Sequence, residues 1–229
     1  KRKRVLGEEH PETLRSLHNL ALRLLEQGKT TESIELLQDV IEKQKRVRGE
    51  EHPDTLRSLH NLALRLSEQG KTTESVELLQ DVIEKRKRVL GEEHPETLRS
   101  LHNLALRLLE QGKTTESIEL LQDVIEKQKR VRGEEHLDTL RSLHDLAYLL
   151  AIQKNFTAAA KVQVDVVEKK RKVLGEEHRD TKLSLELLRG IQSEIATPSS
   201  HHGNLDSASE ITDSDNEDIR TDSRPATSS

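Results

Sequence analysis

Gly91–Arg132, reading GEEHPETLRSLHNLALRLLEQGKTTESIELLQDVIEKQKRVR, repeats Gly7–Arg48 letter for letter. Gly49–Leu90 lies between them and differs at five positions: Asp54, Ser67, Val76, Arg86 and Leu90. Gly7, Gly49, Gly91, Gly133 and Gly175 stand 42 residues apart. A fixed period in the range of about 20–50 residues marks a solenoid, in which each unit buries its apolar face only against its neighbours. Function is therefore to be sought in the stack and not in one unit. Two identical units also point to recent duplication of an 84-residue block.

Composition fits a thin, continuous core. One Tyr and one Phe in 229 residues would be a poor aromatic supply for a single compact core, but Leu, Ile, Val and Ala suffice between stacked hairpins. There is no Cys, which excludes disulfides and thiolate metal sites and suits a reducing compartment. No apolar run approaches the roughly 18 residues of a membrane span and no signal peptide is visible, so the expected setting is cytoplasmic, away from membranes. The chain opens on Lys1, which fits a fragment with a missing upstream domain. Its net charge of −5 resides in residues 197–229, leaving residues 1–196 neutral with no overall pull on nucleic acid.

Each unit reads as a helical hairpin. His-Pro-Glu/Asp-Thr opens a first helix (His10 to Thr13), with proline at the first helical position and an acid in the first turn. Leu14, Leu17, Leu20, Ala21, Leu24 and Leu25 recur at three- and four-residue steps, which predicts one buried face. Gly28 is expected to end this helix and Thr30 or Thr31 to cap the next. In that second helix Ile34, Leu37, Val40 and Ile41 form the apolar face, and it runs to about Val47. Lys1–Leu6, KRKRVL, could be a nuclear-localisation cluster, but the same letters at Lys85–Leu90 end a helix, so residues 1–6 are read as the end of a truncated repeat.

The resulting division is three near-identical units over 7–132, a divergent fourth unit plus capping helix over 133–196, and an acidic Ser/Thr-rich tail over 197–229 that is expected to be disordered. In the fourth unit Leu137 replaces proline, Lys154 replaces the hairpin glycine, and Tyr148, Phe156 and Ala158–Ala160 enter. Ser207, Thr212 and Ser214 each have an acid three residues on, a pattern that acidophilic kinases favour.

Leu17, Leu20, Ala21, Leu24, Ser33 and Leu37 fall on the spacing of the tetratricopeptide pattern, with every aromatic replaced by Leu. The 42-residue period, the G-E-E-H-P-E/D-T opening, H-N-L-A and E-Q-G-K resemble the kinesin-light-chain-like subclass of that family. They resemble still more the near-identical arrays at the C-termini of fungal NOD-like proteins of the nucleotide-binding, STAND type. The resemblance implies an all-α, right-handed superhelical solenoid. It further implies a groove lined by the first helices: Arg15, His18, Asn19 and Leu22, then Arg57, His60, Asn61 and Leu64, then Arg99, His102, Asn103 and Leu106, then Arg141 and His144. Asn would grip the backbone of an extended peptide, and Arg would favour acidic or carboxylate-bearing ligands. The competing reading is that Asn tethers neighbouring hairpins and Arg is a solvated rim charge.

No motif carries catalysis. There is no P-loop, G-x-S-x-G, H-E-x-x-H or Gly-rich phosphate cradle. Ser16 and His18 are two apart on a helix and point away from each other. Glu8, Glu9 and His10 recur five times, but each copy has one His and neighbouring copies should lie roughly 10 Å apart, so capping explains them better than a metal. The sequence thus predicts a non-enzymatic scaffold, without metal or cofactor, for a protein or extended peptide. Its expected setting is the sensing region of a fungal NOD-like protein, with a kinesin-light-chain-type cargo adaptor or a structural spacer as the alternatives.

Overall fold

The computed structural model describes residues 7–196, and over them the chain forms α-helices joined by short turns. The expectations for residues 1–6 and for Ser207, Thr212 and Ser214 lie outside the described residues. Four hairpins follow one another: α1 (Pro11–Glu26) with α2 (Thr30–Arg48), α3 (Pro53–Glu68) with α4 (Thr72–Leu90), α5 (Pro95–Glu110) with α6 (Thr114–Arg132), and α7 (Leu137–Ile152) with α8 (Phe156–Leu174). A further helix, α9 (Arg179–Ala196), packs against α8 and is the last among the described residues. Each helix packs chiefly against the helix before and the helix after it. That nearest-neighbour pattern is what a repeating unit with one apolar face can build.

The E-E-H-P loops are local structural devices. His10, His52, His94 and His136 are the N-caps, and the Nδ1 of each accepts from the backbone N–H two residues on, at 3.1–3.2 Å. The glutamates reach forward to the second helix of the same hairpin, as Glu9 does to Arg46, Glu51 to Arg88 and Glu93 to Arg130. Thr55, Thr97 and Thr139 donate to the carbonyls of Gly49, Gly91 and Gly133 at 2.9–3.0 Å, which pins each opening turn.

The first helix of each hairpin ends in a left-handed residue. Lys29 N–H bonds the Leu24 carbonyl at 2.9 Å and Gly28 N–H bonds that of Leu25 at 2.7 Å, with Gly28 at φ +75°. These are the two bonds of a Schellman ending. Thr30 and Thr31 do not cap the second helix: Lys29 occupies the cap without a side-chain bond, and Thr30 is the first helical residue. The Schellman ending accounts for this correction, since it has already drawn Lys29 into the turn. The fourth hairpin keeps the same bonds with Lys154 at φ +60° in place of glycine.

The two helices of a hairpin are joined by a buried serine. Ser33, Ser75 and Ser117 donate to the carbonyls of Ala21, Ala63 and Ala105 at 2.6–2.7 Å. Ala159 fills this place in the fourth hairpin. Between hairpins, Ile34, Leu37 and Ile41 of one unit pack with Leu56, Leu59 and Leu62 of the next, and the pattern recurs down the stack. Leu20 departs from the expected burial: it is 47% exposed, whereas Leu62 and Leu104 are each 8% exposed. Its side chain occupies the face that only a preceding unit covers, and no such unit stands among the described residues.

Two stability outcomes follow. Leu62→Ala or Leu104→Ala should each cost about 2–5 kcal/mol in equilibrium unfolding, and Leu20→Ala about 1 kcal/mol or less. Lys154→Gly should stabilise the chain by about 1 kcal/mol, because an L residue in the left-handed region is strained. A thermal melt in which Lys154→Gly lowered Tm would show that Lys154 makes compensating contacts.

Candidate functional site

The first helices place Arg, Ser, His and Asn at fixed steps, and the structure resolves what each does. His18 on α1 reaches across the junction to α3: its Nε2 accepts from Asn61 Nδ2 at 3.1 Å, and its Nδ1 lies 2.9 Å from Ser58 Oγ. A ring nitrogen that accepts fixes the proton on the other, so Nδ1–H donates to Ser58. His60 repeats the arrangement with Ser100 at 3.0 Å and Asn103 at 3.1 Å. A polar ladder therefore runs along the seams between hairpins.

The third seam changes the chemistry. Asp145 stands where the earlier seams have Asn61 and Asn103, and His102 Nε2 lies 3.1 Å from its carboxylate. A carboxylate only accepts, so here Nε2–H is the donor and Nδ1 accepts from Ser142 at 2.8 Å. One substitution reverses the tautomer. Burial alone would raise the Asp145 carboxyl, but the hydrogen bond from His102, together with the neighbouring His102, His144 and Arg141 side chains, carries it below its ordinary range. At the last seam His144 Nδ1 meets Ser184 Oγ at 3.2 Å and Gln163 Nε2 at 3.0 Å.

These positions revise the expected groove lining. His60 and Leu64 are fully buried, and His18, His102, Leu22 and Leu106 are nearly so. Their side chains hold the stack and do not line an open surface. Asn61 and Asn103 are the tethers of the competing reading, each spent on the histidine of the preceding unit. Asn19 is half-buried. The arginines lie toward solvent: Arg15 is exposed, and Arg57, Arg99 and Arg141 are half-buried. Arg15, Arg57 and Arg99 each pair with the acid three residues earlier, Glu12 at 3.0 Å, Asp54 at 2.9 Å and Glu96 at 2.8 Å.

Sequence reasoning missed three features. The serine partners sit 40 residues after their histidines, two short of the repeat period, and that offset was the available signal. A second polar contact joins Arg107 to Ser67 at 2.6 Å, while Ser67 donates to Glu110 at 2.6 Å. The third is Arg86, 1% exposed, bonded to the Glu96 carbonyl at 2.7 Å, the Glu96 carboxylate at 2.9 Å and Ser100 Oγ at 2.7 Å. Burial lowers its pKa to about 10, opposed by Glu96, and it stays charged at neutral pH.

Among the described residues no group of three or more His, Cys, Asp or Glu could hold a metal ion, and no helix is long and apolar enough to cross a membrane.

The ladder makes stability depend on pH. Burial, then the nearby Arg57 charge, lowers His18 to about 4. Burial, reinforced by Lys170 and opposed by Asp145, lowers His144 to about 4. Burial and four arginines, led by Arg86, push His60 well below its usual range. The unfolded chain thus binds more protons than the folded one between pH 6.5 and about 4, and stability must fall as pH drops through that window. Each of His18 and His144 withdraws up to about 3 kcal/mol. Melting curves from pH 7 to 4 should show this fall beginning above the range where carboxylates titrate. His60→Gln should flatten it, and a Tm independent of pH between 6.5 and 4.5 would contradict the ladder.

Comparison with known proteins agrees with this architecture. The tetratricopeptide repeat family profile matches residues 13–54, 55–96, 97–138 and 139–180. A crystal structure from Podosopora anserina, described as a kinesin light chain with nearly identical TPR-like repeats, is 32% identical, with a TM-score of 0.65 over 82% of this chain and 98% of that one. BtubC (BKLC) from P. vanneervenii shares the fold at 14% identity, with a TM-score of 0.73 over 84% of this chain and 78% of its own. The apo form of RapI does so at 17% identity, with a TM-score of 0.65 over 81% and 69%. No curated protein sequence is significantly matched. The architecture is the all-α, right-handed superhelical solenoid of tetratricopeptide hairpins. With four consecutive repeats matched over residues 13–180, the chain belongs to the tetratricopeptide-repeat family.

Proposed function

We propose that this chain is a non-enzymatic protein- or peptide-binding scaffold whose ligand lies along the first helices. The observation that carries this reading is the arginine row, Arg15, Arg57, Arg99 and Arg141, repeated at a 42-residue pitch on the solvent side of the polar ladder. Regularly spaced guanidiniums suit an extended, acidic peptide, since each can pair with a carboxylate through two parallel N–H bonds. The intramolecular partners Glu12, Asp54 and Glu96 hold these groups in position, and an acidic ligand would share or displace them. The half-buried Asn19 lies about one helical turn from Arg15 on α1.

At the level of setting, we assign the array to the sensing region of a larger fungal NOD-like protein in the cytoplasm. There, ligand binding would act on an upstream nucleotide-binding domain. Units that repeat without change suit an array whose reach varies by gain and loss of repeats. The likeness to a kinesin light chain with nearly identical TPR-like repeats favours a second setting, a cargo adaptor that binds acidic peptides in the same way.

The test uses the full chain and an array of extended acidic peptides, with the same peptides carrying Gln and Asn for Glu and Asp. Arg57→Gln and Arg99→Gln together should weaken binding of the acidic set by about tenfold or more while helicity and Tm stay within experimental error. No binding by the wild-type chain to either set, or binding indifferent to both the acids and the arginines, would favour a structural spacer.

A further inference from the structure

The five positions that distinguish the second unit from its neighbours are not scattered. Asp54, Ser67, Arg86 and Leu90 all stand at junctions between units, and three of them belong to a single kind of contact. At the first junction Gln44 and Arg48, one turn apart on α2, face the opening of α3, and the Arg48 guanidinium pairs with Asp54. The third junction is the same, with Gln128 and Arg132 on α6 and Asp138 on α7. At the second junction the cation has moved back one helical turn. Leu90 replaces the arginine, Arg86 replaces the glutamine, and the acid on α5 is Glu96, one methylene longer.

We propose that this contact is a pairing code that decides which unit can follow which. A unit ending in Gln and Arg fits a unit opening with Asp, and a unit ending in Arg and Leu fits a unit opening with Glu. The physical reason is the distance that each side chain must span. From the later turn, Arg48 and Arg132 lie beside the loop and also reach His52 Nε2 at 3.4 Å and His136 Nε2 at 3.1 Å, so a short aspartate suffices. From the earlier turn, Arg86 enters the seam to bond Ser100 and the Glu96 carbonyl, and the longer glutamate must fold in to meet it. The divergent last junction lies outside the code: it keeps a cation on the earlier turn above Leu174 but opens with Asp180, and Lys170 there bonds Ser184 Oγ at 3.0 Å and the Asp180 backbone carbonyl at 3.4 Å.

Two consequences follow. Removing one unit, Gly49–Leu90, would bring Gln44 and Arg48 against Glu96, a mismatch. Removing the pair Gly49–Arg132 would bring them against Asp138, a match. The array therefore changes length without a mismatched seam only in 84-residue steps. The face of α1 carries Glu12 and the exposed Leu20, so the partner it fits is a unit ending in Arg and Leu, the letters that Arg2 and Leu6 supply in the sequence.

Thermal unfolding of the full chain tests the code without changing its length. Arg86→Gln leaves Glu96 without its partner on α4, and Leu90→Arg crowds a second guanidinium against Arg86 and Arg99. Each single variant should lower Tm by about 2–4 °C. The triple variant R86Q/L90R/E96D rebuilds the first and third junctions at the second, so its Tm should return to within about 1 °C of wild type. A triple variant as unstable as the sum of its parts would overturn the proposal, as would single variants that leave Tm unchanged or raise it.

Discussion

No hairpin of this protein can bury its apolar face alone, and every other feature depends on that constraint. Leu37, Leu79 and Leu121 on the second helices have no solvent exposure, yet what covers them is supplied by both the same hairpin and the next one. Stability is then a sum of units and of seams, with the seams contributing the part that a single repeat lacks. The exposed Leu20 shows the same dependence from the other side, because a face with no neighbour stays wet.

Apolar burial is non-directional, so it does not by itself fix how one hairpin sits on the next. The polar ladder supplies that register. His18, His60 and His102 each bond a serine and an amide or carboxylate across the seam. Buried polar groups favour one geometry because any other leaves them unpaired. Neutral imidazole suits this place, since it offers one donor and one acceptor without the cost of burying a charge. Where Asn becomes Asp at 145, the ring changes its tautomer and the contact survives. The arginine and acid pairs at the helix ends add a second, charge-based layer whose two forms follow the sequence differences between units.

The hairpin fold was legible because its signals are periodic and local. The 42-residue spacing, the leucine steps and the His-Pro openings each have one structural meaning, and the helices begin and end within a residue or two of expectation. The helix cap was misread because Thr30 is a good cap by type, while the Schellman ending had already taken Lys29. The candidate site was half legible. His18, Asn19 and Leu22 share one stripe of a helix, and sequence alone does not say whether a stripe meets solvent or the next unit. The arginines remained on the outside because a guanidinium is costly to bury without a partner. Arg65, Arg86 and Arg107 are the buried exceptions, and each has partners for that reason. The serine contacts were hidden by distance in the chain, since a link between residues 18 and 58 shows only when the repeats are stacked.

The central claim is that the ladder histidines are structural, with His18, His60 and His102 buried in the seams and the arginine row the proposed binding surface. Nitrogen-15 NMR of the imidazole rings between pH 7 and 4.5 addresses it directly. The claim predicts that His18, His60 and His144 stay neutral across this range in the folded chain, with His18 and His60 protonated at Nδ1 and each hydrogen slow to exchange. Midpoints near 6.5 with fast-exchanging ring protons would contradict it. The rings would then be open to water and the seams would not be built on them.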